Sequence, residues 1–224
     1  MKLLAIETAF EQCSVALSID GDVLERSLHA PRQHAALLLP WVQDLLSEAG
    51  MRLQGLDALA FSCGPGSFTS LRIGIGVAQG LAWGAELPVI PVSSLQCAAQ
   101  VASGEGVAKA LVAMDARMGE VFCGRYESDE AGVMQPAGEE QVCAPGIAAA
   151  LVGETWSGVG NGFERYSELA ASTAGLASIH AGTWPQARAM IPLAAAWLDR
   201  NDPVPAELAQ PVYLRDKVAE KPGN

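Results

Sequence analysis

Cys63-Gly-Pro-Gly-Ser-Phe-Thr-Ser-Leu-Arg-Ile-Gly-Ile-Gly-Val-Ala-Gln-Gly-Leu-Ala-Trp-Gly84 is the stretch around which the chain organises itself. The apolar run before it, Ala58 to Ser62, reads as a buried strand, which Gly64-Pro65-Gly66 ends with a turn. Ser67 is a natural N-cap for the helix that follows. That helix carries Gly74, Gly76, Gly80 and Gly84, each costing about 1 kcal/mol relative to alanine. Close approach by another element is the return that would justify them. Ile73, Val77 and Leu81 share one face of the helical wheel, and Leu71, Ile75, Ala78 and Ala82 share another. Arg72, Gly76, Gln79, Gly80 and Trp83 make the third. With almost no fully polar face, the helix is expected to be covered by the sheet on one side and by a helix or partner chain on the other.

Upstream, Leu3 to Thr8 reads as a buried strand. Ser14 to Ile19 alternates and reaches Asp20-Gly21, a two-residue hairpin signal, before a third strand over Val23 to Leu28. His34 to Ala49 reads as a helix whose apolar positions (Leu37, Leu38, Leu39, Trp41, Val42, Leu45, Leu46) sweep roughly 200° of the wheel, against the ~100° needed to face one core. Pro40 should kink this helix or mark its true start. The excess arc is a second sign of a partner surface.

Downstream, Pro88 to Val92 is a short strand, and Ser93-Ser94 caps a helix through Val101. The order βββ-α-β-α-β-α is that of an α/β lobe. Ala108 to Met114 and Glu120 to Tyr126 form a new strand pair around the turn Asp115 to Gly119. The expected division is therefore residues 1–103 for an N-terminal lobe and 104–224 for a smaller C-terminal lobe. Residues 132–153 are weakly patterned, with a short helix over Ile147 to Leu151. Helices are expected at Glu164 to Ala171 and Pro185 to Arg200.

Composition narrows the function. The chain has 224 residues, half of them apolar and 17% charged, enough for a sizeable core. A formal net charge of -11 argues against autonomous nucleic-acid binding, which needs clustered Lys and Arg. Five widely spaced cysteines without a C-x-x-C pair fit reduced thiols in a cytoplasmic protein. Neither a signal peptide nor a membrane span is expected.

The chemistry-bearing candidates are few. The Gly-Pro-Gly-Ser turn can offer backbone amides to a phosphate, but it lacks the Lys-[Ser/Thr] of a Walker loop. A structural turn is the competing reading. Gly158-Val-Gly160-Asn161-Gly162 could approach a nucleotide closely or be a plain loop. Glu7-Thr8 at a strand end could hold water or a metal-bound phosphate, or simply be solvated. Ser67 does not sit in G-x-S-x-G, and His29, His34 and His180 lie in no supporting motif. The His and Cys residues make no metal-ligand pair. Asp115 and Arg117 read as a mutual pair.

Leu4-Ala-Ile-Glu-Thr8, Ser14-Val-Ala-Leu17, Gly64-Pro-Gly-Ser-Phe-Thr69, Leu71-Arg-Ile-Gly74, Val92-Ser-Ser-Leu95, Asp115-Ala-Arg-Met118 and Pro211-Val-Tyr-Leu-Arg215 resemble, in order, the signature segments of the TsaB (YeaZ) family. The resemblance implies an actin/Hsp70-like (ASKHA) α/β fold, two lobes each with a mixed sheet flanked by helices. It also implies a non-catalytic subunit of the bacterial machinery that installs threonylcarbamoyl on adenosine 37 of tRNA. In that machinery TsaD carries the transfer, TsaC makes threonylcarbamoyl-adenylate and TsaE is an ATPase. The catalytic relative has an H-x-x-x-H metal pair where this chain has Ser94 and Ala98, neither of which can replace an imidazole ligand. Ser70 and Gln79 depart from the family's usual Gly and Lys.

These readings converge on a partner subunit with no catalytic or metal site and no cofactor of its own. ATP or ADP would belong to the assembled complex. The expected interface is Leu38, Trp41, Val42, Leu45, Arg72, Gly76, Gly80 and Trp83. It would serve a heterodimer with TsaD, or a homodimer when the chain is alone. TsaE and TsaC are further expected partners, and tRNA would be met only through the complex. Glu7, Thr8, Gly158, Gly160 and Asn161 are the weaker nucleotide or phosphate candidates. The rival class is an independent phosphotransferase or M22-like peptidase on the same fold.

Overall fold

A computed structural model describes residues 1–151, 155–172 and 175–215. The polar tail beyond Arg215 falls outside the described residues. The chain opens with β1 (Lys2–Glu7), β2 (Gln12–Ile19) and β3 (Asp22–His29), an antiparallel meander. Asp20 and Gly21 both take positive φ, as the tight turn between β2 and β3 demands. Then come α1 (His34–Glu48), β4 (Ala58–Gly64), α2 (Phe68–Ala85), β5 (Val89–Ser93) and α3 (Ser94–Ser103). The first sheet has the order β3-β2-β1-β4-β5, with β4 and β5 parallel to β1.

The second sheet repeats that plan. It starts with the hairpin of β6 (Lys109–Arg117) and β7 (Glu120–Ser128), followed by the short β8 (Met134–Pro136) and β9 (Gln141–Cys143), both paired to β7. After α4 (Pro145–Ala149) comes β10 (Ser157–Val159), parallel to β6. Two short helices, α5 (Gly162–Arg165) and α6 (Ser167–Ser172), lead to β11 (Ser178–His180), parallel to β10. Each sheet thus sets a hairpin on one side of its first strand and two parallel strands on the other. This is the two-lobed actin/Hsp70-like fold. The weak pattern over residues 132–153 concealed two strands, because β8 and β9 have only three residues each.

The last helix, α7 (Ala187–Leu198), crosses back to pack on β1, β2 and β5 of the first sheet. Leu3, Ala5 and Ala16 face Met190, Leu193 and Ala194 in one core cluster. The other face of the sheet, with Leu4, Ile6 and Phe61, packs against Leu38, Leu45, Leu71 and Ile75 of α1 and α2. Beyond α7, Val204 pairs with Val89, and the Val212 amide donates to the Cys63 carbonyl at 2.7 Å. The described residues from Val204 to Val212 therefore reach back to the first lobe, before Arg215 pairs with Glu120 of β7.

Caps and breaks follow local chemistry. Ser93 Oγ accepts from the amides of Leu95 and Gln96, the expected N-cap of α3. Pro40 does not set the start of α1, which runs from His34 through it. All five cysteines are buried free thiols, and burial pushes those of Cys13, Cys63 and Cys123 up to about 12. No helix among the described residues is long and apolar enough to cross a membrane.

Candidate functional site

The outer face of α1 and α2 is the first candidate. Leu38 and Leu45 do not belong to it, being fully closed into the chain's own core, while Val42, 3% exposed, packs in that core and still lines the depression between the helices. That expectation is corrected, because the sheet lies under the middle of the 200° arc and takes those residues, leaving its flank outside. Leu39 is 52% exposed, and Leu37, Trp41 and Leu46 are half-buried. Across from them stand half-buried Ile73, Val77 and Leu81 of α2, and Trp83, 66% exposed. A shallow depression between the helices is lined by Leu39, Leu46, Met51, Leu53 and Leu81.

The glycines of α2 divide into two kinds. A Cβ on Gly74 would overlap Thr8, so this glycine serves internal packing. Gly76, Gly80 and Gly84 have nothing within 4 Å of a Cβ, and all three are exposed. Nothing in the described residues explains their smallness. Arg72 is turned inside the chain's own contacts: Nε donates to the Tyr213 hydroxyl at 3.1 Å, and the guanidinium lies 3.7 Å above the Phe68 ring.

Glu7 and Thr8 are buried, not solvated. Glu7 Oε1 accepts from the Ala9 amide at 2.6 Å, while Oε2 has no hydrogen-bond partner. Burial raises this carboxyl to about 7, against the opposing pull of the Ala9 amide, then the Ser62 hydroxyl and the Thr8 amide. The Ser62 hydroxyl acts on the carboxyl as a nearby dipole, although no well-formed hydrogen bond joins it to Oε2. Thr8 Oγ1 donates to the Ser70 carbonyl at 3.0 Å.

The second-lobe candidates are consumed by their own lobe. A Cβ on Gly158 would strike the Phe163 ring, and one on Gly160, at φ 103°, would strike Met114 and Ala113. Asn161 Oδ1 accepts from the Asp115 amide at 2.9 Å. None of these three lines the cleft between the lobes, nor do Glu7 and Thr8. Asp115 is the hub of a charge network: Oδ2 lies 3.1 Å from Arg117 and 3.0 Å from Arg165, and Oδ1 accepts from the Tyr166 hydroxyl at 2.8 Å. Arg117 also reaches Glu11 of the first lobe at 2.7 Å.

The cleft itself, of ≈ 460 Å³, lies between the start of α2 and the β6–β7 turn, with Tyr213 and Arg215 on one wall. A second bond between lobes lies elsewhere: Glu140, in the β8–β9 loop, accepts from both Ser93 and Tyr126. Its carboxyl is raised by burial, with the Ser93 and Tyr126 hydroxyls opposing. No sequence signal pointed to Glu140, because the stretch around it carries no periodicity. Ser94 Oγ donates to the Pro65 carbonyl and Ala98 is sealed in the core. Among the described residues no three His, Cys, Asp or Glu side chains gather as a metal site.

A family model described as TsaD, tRNA N6-adenosine threonylcarbamoyltransferase, matches residues 28–222. The tRNA threonylcarbamoyladenosine biosynthesis protein TsaB of Escherichia coli (strain K12) is 44% identical over 226 residues, covering 99% of this chain and 97% of that protein. The protein of the same name from Haemophilus influenzae is 38% identical, covering 99% and 96%. Among solved structures, YeaZ from Pseudomonas aeruginosa superposes with a TM-score of 0.89 at 41% identity, covering 95% of this chain and 99% of that one.

Proposed function

Because the chain belongs to the TsaB (YeaZ) family of tRNA threonylcarbamoyladenosine biosynthesis proteins, we propose that it serves that modification as a non-catalytic subunit, docking the transferase TsaD on the outer face of α1 and α2. The observation that carries the reading is the set of exposed glycines. Gly76, Gly80 and Gly84 keep open space beside an apolar strip of Leu39, Val77, Leu81 and Trp83. Each glycine costs helix stability of about 1 kcal/mol. A helix from another chain, packed close against the small-residue face, offsets that cost. The alternative partner for the same face is a second copy of this chain, which would hold it when TsaD is absent.

The non-catalytic assignment is supported by Ser94 and Ala98, whose side chains are committed to a backbone carbonyl and to the core. ATP or ADP is assigned to the assembled complex, with TsaE and TsaC as its other members. The internal use of Gly158, Gly160 and Asn161 favours this over a nucleotide held by this chain at that turn.

The test is to mix the purified chain with TsaD from the same organism and follow complex formation by sizing and calorimetry. A one-to-one complex that Leu39→Asp disrupts is the expected result. Absence of any complex, or threonylcarbamoyl transfer to tRNA by this chain alone, would overturn the assignment. Depletion in cells, followed by nucleoside analysis of tRNA, should show loss of the modification.

A further inference from the structure

We propose that the outer end of the second sheet carries a nucleophilic serine, Ser178, which with His180 and Glu105 cleaves small activated carboxylic esters. None of these residues lines the cleft between the lobes or the depression between α1 and α2. β11 is the terminal strand of its sheet, and Ser178 on it is exposed. Ser178 and His180 stand two apart in that strand, so both side chains leave the same face. Ser157 of β10 lies opposite Ser178 in register. The turn after α3 supplies the third side chain: Gly104 caps the helix, Gly106 takes φ 94°, and Glu105 stands exposed between them.

The side chains form one continuous relay. His180 Nδ1 lies 2.9 Å from Glu105 Oε2, and Nε2 lies 3.0 Å from Ser178 Oγ. Ser178 Oγ is in turn 2.9 Å from the hydroxyl of buried Ser157. A carboxylate can only accept, so Nδ1 carries the hydrogen. In the neutral ring Nε2 is then a bare acceptor, and the Ser178 hydroxyl donates to it. That spends the one hydrogen of Ser178, so the Ser157 hydroxyl donates to Ser178. Every direction in the relay follows from Glu105. A serine hydroxyl donating to an imidazole that a carboxylate orients is the arrangement that activates a serine for attack. Glu105 and His180 are 75 residues apart, which is why no sequence motif announces them.

In the reaction Ser178 Oγ attacks the ester carbonyl carbon while Nε2 takes the hydroxyl proton. The acyl–Oγ bond forms, the bond to the leaving oxygen breaks, and the imidazolium returns its proton to that oxygen. Water then attacks the acyl-serine, giving its proton to Nε2, and the carboxylic acid leaves as Ser178 recovers its hydrogen. The site is open to water, where hydrogen bonds stabilise an oxyanion weakly. Its substrates are therefore esters with a weakly basic leaving group, such as aryl esters. Ser178 and His180 meet the reacting atoms, and Glu105 is a positioning residue.

The experiment incubates the full chain with para-nitrophenyl acetate and follows nitrophenolate release, with peptide mass mapping of the acetyl group. Acetyl-Ser178 is the expected intermediate. Ser178→Ala should remove it and lower release about tenfold or more, and His180→Gln should lower release about a hundredfold. Ser178→Ala and Glu105→Ala change exposed side chains, so both should melt with the unaltered chain. Nitrogen NMR of the imidazole should show the Nδ1–H tautomer, and Glu105→Ala should shift it toward Nε2–H while slowing release about tenfold. Leu39→Asp should leave release unchanged, separating this site from the partner face. Acetyl groups confined to other residues, release that survives Ser178→Ala or His180→Gln, or a tautomer unmoved by Glu105→Ala would overturn the proposal.

Discussion

Thr8, just beyond β1, and Gly74, early in α2, pack so closely that no side-chain atom fits between them. The Thr8 hydroxyl is at the same time held by the Ser70 carbonyl, one turn earlier in α2. Sheet and helix are locked together there. Gly74→Ala should cost about 1–3 kcal/mol, because its methyl would overlap Thr8 Oγ1. In a Thr8→Ala background the same change should cost clearly less, which a double-mutant cycle by denaturant unfolding will read.

Gly80 provides the opposite outcome. With open space at its Cβ, Gly80→Ala should raise the stability of the isolated chain by up to about 1 kcal/mol through helix propensity. If a partner helix packs on this face, the same methyl should weaken the complex with TsaD. Unfolding and calorimetry on one preparation give both numbers, and tighter binding would count against the docking assignment.

The inner and outer sides of the α1–α2 layer should separate folding from assembly. Leu38→Ala removes a fully buried side chain and should cost about 2–5 kcal/mol of stability. Trp83→Asp and Leu39→Asp change exposed positions, so stability should move by less than about 0.5 kcal/mol while the complex is lost. A sizing column run beside a melting curve distinguishes them.

Glu7 predicts a pH dependence. Its carboxyl stands near 7 in the folded chain against 4.5 when free. The folded state therefore holds its proton longer than the unfolded one. The associated stability is fully present below pH 4.5 and is lost as pH rises through about 7. The difference corresponds to roughly 3 kcal/mol. Glu7→Gln should flatten the stability profile between about pH 4.5 and pH 8 and gain most at the alkaline end. An unchanged slope in urea unfolding would show that the carboxylate is relieved some other way.

Asp115 holds the β6–β7 turn. It serves Arg165, Tyr166, Arg117 and the Arg117 amide, so Asp115→Ala removes the one acceptor that ties them together. A loss of about 1–2 kcal/mol is expected in thermal or urea unfolding.

Much of this was legible in the residues. The alternation of β2 and β3 around Asp20-Gly21, and the Ser93 cap, rest on local rules, and local rules were obeyed. The face of α1 was not legible in full. Leu38, Leu39 and Trp41 are equally apolar, and only the position of the sheet decides which are swallowed. Glu7 looked like an ordinary strand-end carboxylate because its burial depends on elements far away in sequence, such as α7, which packs on β1. The glycines of residues 158–162 allow either a ligand's approach or a plain loop, and their neighbours are Phe163, Met114 and Ala113 of the chain itself. Sequence shows that a close approach is needed, not what approaches.

The return of α7 to the first sheet has a consequence for biosynthesis. Leu3, Ala5 and Ala16 emerge from the ribosome early, yet the helix that shelters them is translated only after the whole second sheet. The leading lobe cannot mature as its own residues appear, in contrast to chains whose domains fold one after another. Its apolar underside must wait, exposed to chaperones and to neighbouring nascent chains, until the second sheet and α7 have been translated. Loss of the segment from α7 onward, by a premature stop codon, would therefore leave the first lobe without the helix that covers it.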